Sequence, residues 1–180
     1  MLQRYETIPS TLPPQPRVAA ILSCQNNIMA LSWHMPISRE PFRYAIAVRE
    51  ENHTHSLLVE YGSFTLNFLP FSFYDEIDKA GRTHGDEIDK FSVSTLTCDV
   101  VDPNGNRIID QADYVYECSI IDTYQNGDHT IFAADVRAIH INENMNAHLA
   151  LFLGHGEYAT ASAHSRVRQS SHVSTSKRSF

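Results

Sequence analysis

The stretch VREENHTHSLL, residues 48–58, holds the most suggestive polar chemistry of the 180-residue chain. An apolar run delivers Arg49 to a loop that carries His53, Thr54, His55 and Ser56. Thr54 or Asn52 can cap a helix there, predicted to run through Leu57, Leu58 and Tyr61 and to stop at Gly62. Backbone N–H groups, hydroxyls and the positive end of a helix dipole favour an anion at such a point. Arg49 adds a fixed charge able to make a bidentate contact. The same residue types also make an ordinary capped surface helix, so this stretch alone points two ways.

A second stretch, ALSWHMPIS (residues 30–38), alternates apolar Leu31, Trp33, Met35 and Ile37 with Ser32, His34, Pro36 and Ser38. Strict alternation predicts a half-buried strand, because successive side chains point to opposite faces. Its polar face carries two hydroxyls, an imidazole and a proline beside the chain's only tryptophan, an unusual choice for a face turned to water. Other chemistry finds less support. The ten histidines form no HExxH or Cys/His quartet, and the predicted helix start separates His53 from His55, so no metal site is expected. Nucleophile-elbow, Walker and GxGxxG motifs are absent. Asp128 and Asp135 have no spacing that marks an acid–base pair.

The elements that must position these residues read as mainly β with short helices. Four of the eight prolines fall in the first 17 residues, which read as an extended arm. RVAAILSC and YAIAVRE read as buried strands, and SFTLNFL as an alternating one. FSFYDEIDKAGR predicts a helix capped by Ser72, with Asp75 three residues on and Gly81 as its end. From Phe91 onward the chain is expected to be nearly all strand. Asn-Gly turns at DPNGN and QNGDH separate FSVSTLTCDVV, YVYECSIIDTY and TIFAADVRAIHIN. The apolar stretch AHLALFLGHGEYA follows. The predicted organisation is an arm (1–16), one domain (17–163) and a basic, Ser-rich tail (164–180) without a core pattern. An antiparallel barrel with helical insertions fits this order.

Composition narrows the partners. Net charge is −7, and the tail's four cations leave −11 on residues 1–163. Such a body is a poor general binder of nucleic acid, whose backbone must be neutralised by cations. No apolar run approaches the roughly 20 residues of a membrane helix, and no signal-peptide pattern opens the chain. Cys24, Cys98 and Cys118 are odd in number and widely spaced, which reads as reduced thiols in a cytoplasmic protein.

NNIMALSWHMPISREPFRYAIAVREENHTHSLLVEYGSFTLNFL resembles the first half of the flavin reductase-like, FMN-binding split-barrel family. GDEIDKFSV, YECSIIDTYQNGDHTIFAADV and LFLGHGEY then resemble later family segments in family order, so the resemblance spans roughly residues 17–160. It implies an antiparallel split barrel holding FMN, with FAD as the alternative flavin. It further implies that the polar side of residues 30–38 floors the flavin ring. Asn27 lies in the turn leading there, Ser32 and Ser38 would bond the ring edge and ribityl chain, and Trp33 and His34 would border the ring. The phosphate would sit at His53 and Thr54, joined by Arg49 on grounds of charge. Asn67, Lys90 and Phe91 sit in segments that approach the flavin. Asp128 and His129 occupy a turn near the exposed ring face, where a nicotinamide can stack and His129 can orient the reductant or donate a proton. The chain departs from the family in lacking a glycine before Asn27 and in having Ala134 where many members have Gly.

The implied activity is transfer of a hydride from NAD(P)H to the flavin, in a homodimer. An FMN electron carrier of the flavoredoxin kind, reduced by a partner protein, needs the same pocket. A split-barrel protein for pyridoxal phosphate or haem is a third reading.

Overall fold

The structure, a computed structural model, describes residues 16–83, 85, 88–145, 148–154 and 156–161. Of the predicted arm only Pro16 falls within that range, and the predicted tail lies outside the described residues.

The run RVAAILSC is divided at Ala19 into Arg17–Val18 (β1) and Ala20–Cys24 (β2). At the break the Ala19 N–H donates to the Ala150 carbonyl at 2.8 Å, and β1 leaves to pair elsewhere. β2 is buried throughout because it serves two cores: Ala20, Leu22 and Cys24 face one, and Ile21 faces the other. A strand covered on both sides reads as a continuous apolar run.

Next come Asn27–Leu31 (β3), His34–Arg39 (β4) and Phe42–Arg49 (β5). His53–Tyr61 forms helix α1, ended by Gly62 in the left-handed conformation (φ 65°), which only glycine adopts without cost. Ser63–Phe68 (β6) follows, then a 3₁₀ turn at Phe71–Phe73 and helix α2 (Tyr74–Arg82). Val100–Val101 (β7) and Arg107–Ile108 (β8) form a small hairpin. Tyr114–Asn126 (β9) and His129–Ile141 (β10) form a long one. Leu151–Gly154 (β11) and Glu157–Ala159 (β12) close the chain.

Seven strands make one antiparallel sheet in the order β3-β2-β6-β9-β10-β5-β4. Its two edge strands, β3 and β4, are consecutive in the chain and joined only by Ser32 and Trp33. Laid flat, the edges would stand about 29 Å apart at the usual strand spacing. A link of two residues reaches only about 11 Å. The sheet therefore has to curl until its edges approach, and the Ala47 N–H fixes the corner by donating to the Trp33 carbonyl at 2.9 Å. This is the split antiparallel barrel expected of the chain.

The barrel interior is filled by Leu22, Ile46, Phe64, Leu66 and Phe132, all fully buried. Each such side chain contributes about 1.5–3 kcal/mol by leaving water. A second core lies under α2, where Ile21, Ile28, Leu69, Ile77 and Ile109 meet. β1, β11 and β12 form a separate three-stranded sheet beside it. The apolar C-terminal stretch is thus used within the chain: Ala150 is fully buried, and Phe152 and Tyr158 pack on the second core. Among the described residues, no helix is long and apolar enough to cross a membrane.

Local signals were overridden in four places. Residues 30–38 are not one strand but the end of β3, the two-residue link and β4. Within β4 the alternation is inverted, since Met35 and Ile37 are 58% and 43% exposed while His34 turns inward. Ser72 does not cap α2. Pro70 bridges to Leu149 and the Phe71 N–H donates to the His148 carbonyl at 2.7 Å, so a 3₁₀ turn forms first. The helix also passes Gly81, ending at Arg82. Residues 91–95 form turns, and 96–99 run without regular structure, in place of the expected strand. There the hydroxyls of Ser92 and Ser94 bond back to the carbonyls of Asp89 and Phe91, taking acceptors that a ladder would need.

Candidate functional site

The seam that closes the barrel is also where the cavities lie. β3 supplies their floor through Met29, Ala30 and Leu31, and a main cavity of about 470 Å³ opens over it. Ser32 and Trp33 bound it on one side, Arg49 and Asn52 on another, and the β9–β10 hairpin closes over it with Asp128 and His129. The hairpin is turned by Gly127 (φ 65°) and Asp128, with Asn126 as the last residue of β9. Register places His129 opposite Arg49, which is why a loop residue and a strand end meet here.

Three groups on this rim are fixed to one another. The Trp33 indole stacks on the His129 imidazole, with centroids 4.5 Å apart and planes 20° from parallel. His129 Nδ1 lies 2.7 Å from Asp128 Oδ1. A carboxylate only accepts, so Nδ1 carries the proton of that bond and Nε2 is the ring's other nitrogen. The bond from His129 holds the Asp128 carboxyl below its ordinary range. Arg49 Nη2 stands 3.5 Å from the other Asp128 oxygen. Both partners of that ion pair are largely exposed, so water screens it and it yields readily to a ligand.

A cavity of about 140 Å³ lies at the start of α1, sharing Met29, Ala30 and Asn52 with the main one. It is lined by His53 and Thr54 from the helix, by Gly81 from α2, and by Lys90. No acidic residue stands in the first turn of α1, and the Asn52 side chain does not cap it, so the helix terminus keeps its positive character. The Lys90 ammonium is buried and donates to the carbonyls of Ile28 at 2.7 Å and Ala80 at 3.0 Å, tying α2 to β3. Close approach of these walls depends on small residues: a Cβ on Gly81 would meet the Cβ of Ala30 at 3.1 Å.

The structure therefore gathers Ser32, Trp33, Arg49, Asp128 and His129 around the main cavity, and His53, Thr54 and Lys90 around the smaller one. Arg49 lines the ring-sized cavity, not the helix start where charge alone had placed it. Asn27 and Phe91 line a third, larger cavity on the far side of His53 and Lys90. Three candidates stand apart. His34 donates from Nε2 to the Val18 carbonyl at 2.8 Å and accepts at Nδ1 from the Tyr44 hydroxyl at 2.9 Å, with the Phe68 ring edge-on. Burial holds its pKa below the ordinary 6.5, against the pull of the Val18 bond. Asn67 is fully buried, accepting from the Ile109 N–H at 2.9 Å and donating to the Ile21 carbonyl at 3.2 Å. Ser38 sits beyond a bulge at the far end of β4. None of the three lines a described cavity.

Sequence reasoning missed Met29, Asn52 and Gly81. The pairing of Ala30 with Gly81 was the one available signal, two small residues brought together across 51 positions, and it becomes legible only once α2 is laid on β3. His53 and His55 also diverge, for His55 Nε2 bonds the Thr130 hydroxyl at 2.9 Å. Among the described residues, no three His, Cys, Asp or Glu side chains are grouped as a metal site. Cys24 and Cys118 are buried and Cys98 half-buried, all as free thiols.

Comparison with known proteins follows the same outline. An FMN-binding protein from Thermus thermophilus superposes with a TM-score of 0.82 at 23% identity, covering 93% of this chain and 100% of that one. A flavoredoxin from Methanosarcina acetivorans gives 0.80 at 16% identity, over 95% and 96% of the two chains. These likenesses show the fold. An uncharacterized protein of Archaeoglobus fulgidus is 27% identical over 112 residues, 61% of this chain. The chain spans 43–64% of the length of three curated archaeal relatives that it matches. The sequence model of the flavin reductase like domain matches residues 15–162, a range that takes in every strand and both helices of the described residues. On that match the chain belongs to the flavin reductase-like domain family.

Proposed function

We propose that the groove over β3 binds FMN, and that the protein passes a hydride from NAD(P)H to it. The observation that carries this reading is the shape and polarity of the groove. A ring-sized cavity with an aromatic and imidazole rim leads into a smaller one at an uncapped helix N-terminus. The residues present fit the group: Trp33, Met29 and Leu31 offer apolar contact to a flat ring, and the first turn of α1 offers N–H donors to a phosphate.

When bound, FMN supplies the ring atom that accepts the hydride. The chain's own part is positioning. Ser32 and the backbone beside it offer donors to the ring edge, and Arg49 brings a cation to the rim. Asp128 fixes the His129 tautomer, so that Nε2 is the atom able to hold or move a proton beside the nicotinamide. Trp33 keeps the imidazole flat against the rim. No nucleophile is required, in keeping with a sequence that presents no nucleophile motif.

A second reading keeps the FMN and replaces the nicotinamide with a protein donor, as in a flavoredoxin. The net charge of −7 supports it, since an acidic body steers a basic redox partner. The absorption spectrum of the purified protein, taken before and after anaerobic NADH and then NADPH, decides between them. Flavin bands that bleach with one nicotinamide establish the reductase and name its donor. Bands that persist with both, yet bleach with a reduced protein donor, establish the carrier. Absence of flavin, with none taken up from added FMN, overturns both.

A further inference from the structure

A fourth cavity, of about 280 Å³, has no part in the reading above. It shares Ala30, Leu31 and Ser32 with the main cavity but opens from the other side of β3. The main cavity borders the barrel core, to which Met29 and Leu31 belong. The fourth borders the second core, with Ala19, Ile77, Phe152 and Tyr158 in its walls. Two molecules can therefore reach the same strip of β3 at once, one from each side.

The lining selects by shape and by the sense of its hydrogen bonds. A volume just under the range of about 300–1,000 Å³ typical of small-molecule sites suits a single flat ring. Leu31 and Ile77 are apolar walls. Phe152 and Tyr158, paired across β11 and β12, make an aromatic corner with ring centroids 5.3 Å apart. The polar groups on offer are donors. The Tyr158 hydroxyl makes no hydrogen bond among the described residues. Burial, with Asp78 nearby, pushes its pKa up to about 12, so it keeps its proton. Arg82 Nε lies 2.7 Å from Asp78 Oδ2, and Nη2 stands 3.4 Å from where a Cβ on Gly156 would fall. The guanidinium is thereby held at the pocket edge with further N–H groups left to donate. Asp78 and Arg82 are the charged residues of the lining and answer each other, so the pocket carries no net charge to attract an ion.

We propose that this pocket takes a small neutral quinone as a second substrate, its two carbonyl oxygens accepting from Tyr158 and Arg82. A quinone meets each condition together: one flat ring, no charge, and acceptors without donors. The proposal rests on the hydride-transfer reading of the groove. Reduction of the quinone to a hydroquinone takes two electrons and two protons, one proton on each oxygen. NAD(P)H supplies the electron pair and one proton as hydride and leaves as NAD(P)+, and water supplies the other proton. Since the reductant and the quinone reach β3 from opposite sides, neither has to leave before the other binds.

The test is a calorimetric titration of the FMN-loaded protein with duroquinone (tetramethyl-1,4-benzoquinone), whose full substitution keeps it from adding to the half-buried thiol of Cys98. Saturable binding at one site is expected. Tyr158→Phe keeps the ring and removes the donor, and is expected to weaken that binding about tenfold. FMN affinity and Tm should stay unchanged, because the lost hydroxyl has no partner in the chain. Initial rates with NAD(P)H and duroquinone both varied should give intersecting double-reciprocal lines, the mark of a ternary complex. Parallel lines overturn the two-sided arrangement. No binding, or binding that Tyr158→Phe leaves unchanged, overturns the quinone pocket and leaves the flavin groove standing. Binding to the flavin-free protein that FMN abolishes gives this space to the flavin and overturns the proposal. Failure of the protein to take up FMN overturns the groove reading itself, and Tyr158-dependent binding of duroquinone would then still support the pocket.

Discussion

Asn27 and Thr54 are joined by a buried hydrogen bond, Nδ2 to Oγ1 at 2.8 Å, that spans the wall between two cavities. Asn27 lines the larger and Thr54 the smaller. The bond fixes the first turn of α1 to the first residue of β3, so the helix terminus and the groove floor move as one piece. Gly85 lies directly on the amide, where a Cβ would fall 1.9 Å from Asn27 Oδ1. Gly85→Ala is therefore expected to push the amide off Thr54, at about 1–3 kcal/mol of overpacking. Thermal melting and an FMN titration check this: flavin affinity should fall along with Tm.

At the other end of the groove the stacked pair Trp33 and His129 holds the rim. An aromatic pair of this kind contributes about 0.5–1.5 kcal/mol beyond its buried area. Trp33→Ala should lower Tm by only a few degrees, because the indole is 44% exposed, and should release the imidazole. His129→Ala should slow flavin reduction by NAD(P)H on the order of 10²-fold, the low end for a positioned proton donor. Anaerobic stopped-flow, paired with an equilibrium FMN titration, separates the two effects. A loss of FMN affinity as large as the loss of rate would make His129 a flavin ligand instead.

Asn67 yields a contrasting expectation. Its amide satisfies the Ile109 N–H and the Ile21 carbonyl inside the second core. Asn67→Ala leaves each of those groups buried without a partner, at about 1–3 kcal/mol apiece. The denaturation midpoint should drop sharply, while the folded fraction binds FMN as before. Weaker FMN binding at full folding would restore Asn67 to the cofactor site that the resemblance implies for it.

His34 sets a pH dependence of stability. Its folded pKa lies below the ordinary 6.5, so between the two values the unfolded chain binds a proton that the folded one does not. The contribution is fully present above pH 6.5 and is lost as pH falls below it, with a slope of no more than about 1.4 kcal/mol per pH unit. Protonation also turns Nδ1 from an acceptor into a donor facing the Tyr44 hydroxyl. His34→Gln should flatten that part of the stability–pH curve, measured by urea denaturation from pH 5 upward.

Much of the architecture was legible in the residues. The apolar runs of β2 and β5, the helix that Gly62 ends and the hairpin at Gly127 follow from local chemistry, and they stand where that chemistry puts them. Residues 30–38 were misread because alternation reports which side chains share a face and not which face is inside. His34 is drawn inward by a carbonyl from β1, 16 positions away, and no window over β4 contains that partner. Asn67 enters as a site residue through the resemblance alone, because its segment approaches the flavin in the family. It answers instead to a backbone N–H 42 positions on. The groove itself was half visible: polar groups at its two ends stand out in the sequence, whereas its floor and back wall are small residues whose meaning is the space they leave.

The chain's single tryptophan sits at the barrel seam, on the rim of the main cavity. Its emission is therefore a reporter built into one place. Quenching by whatever occupies the groove, and the red shift when the seam comes apart, both come from Trp33 with no second indole to dilute them. Occupancy and opening of this one corner can be followed in the unlabelled protein, in a single cuvette, by the same photons.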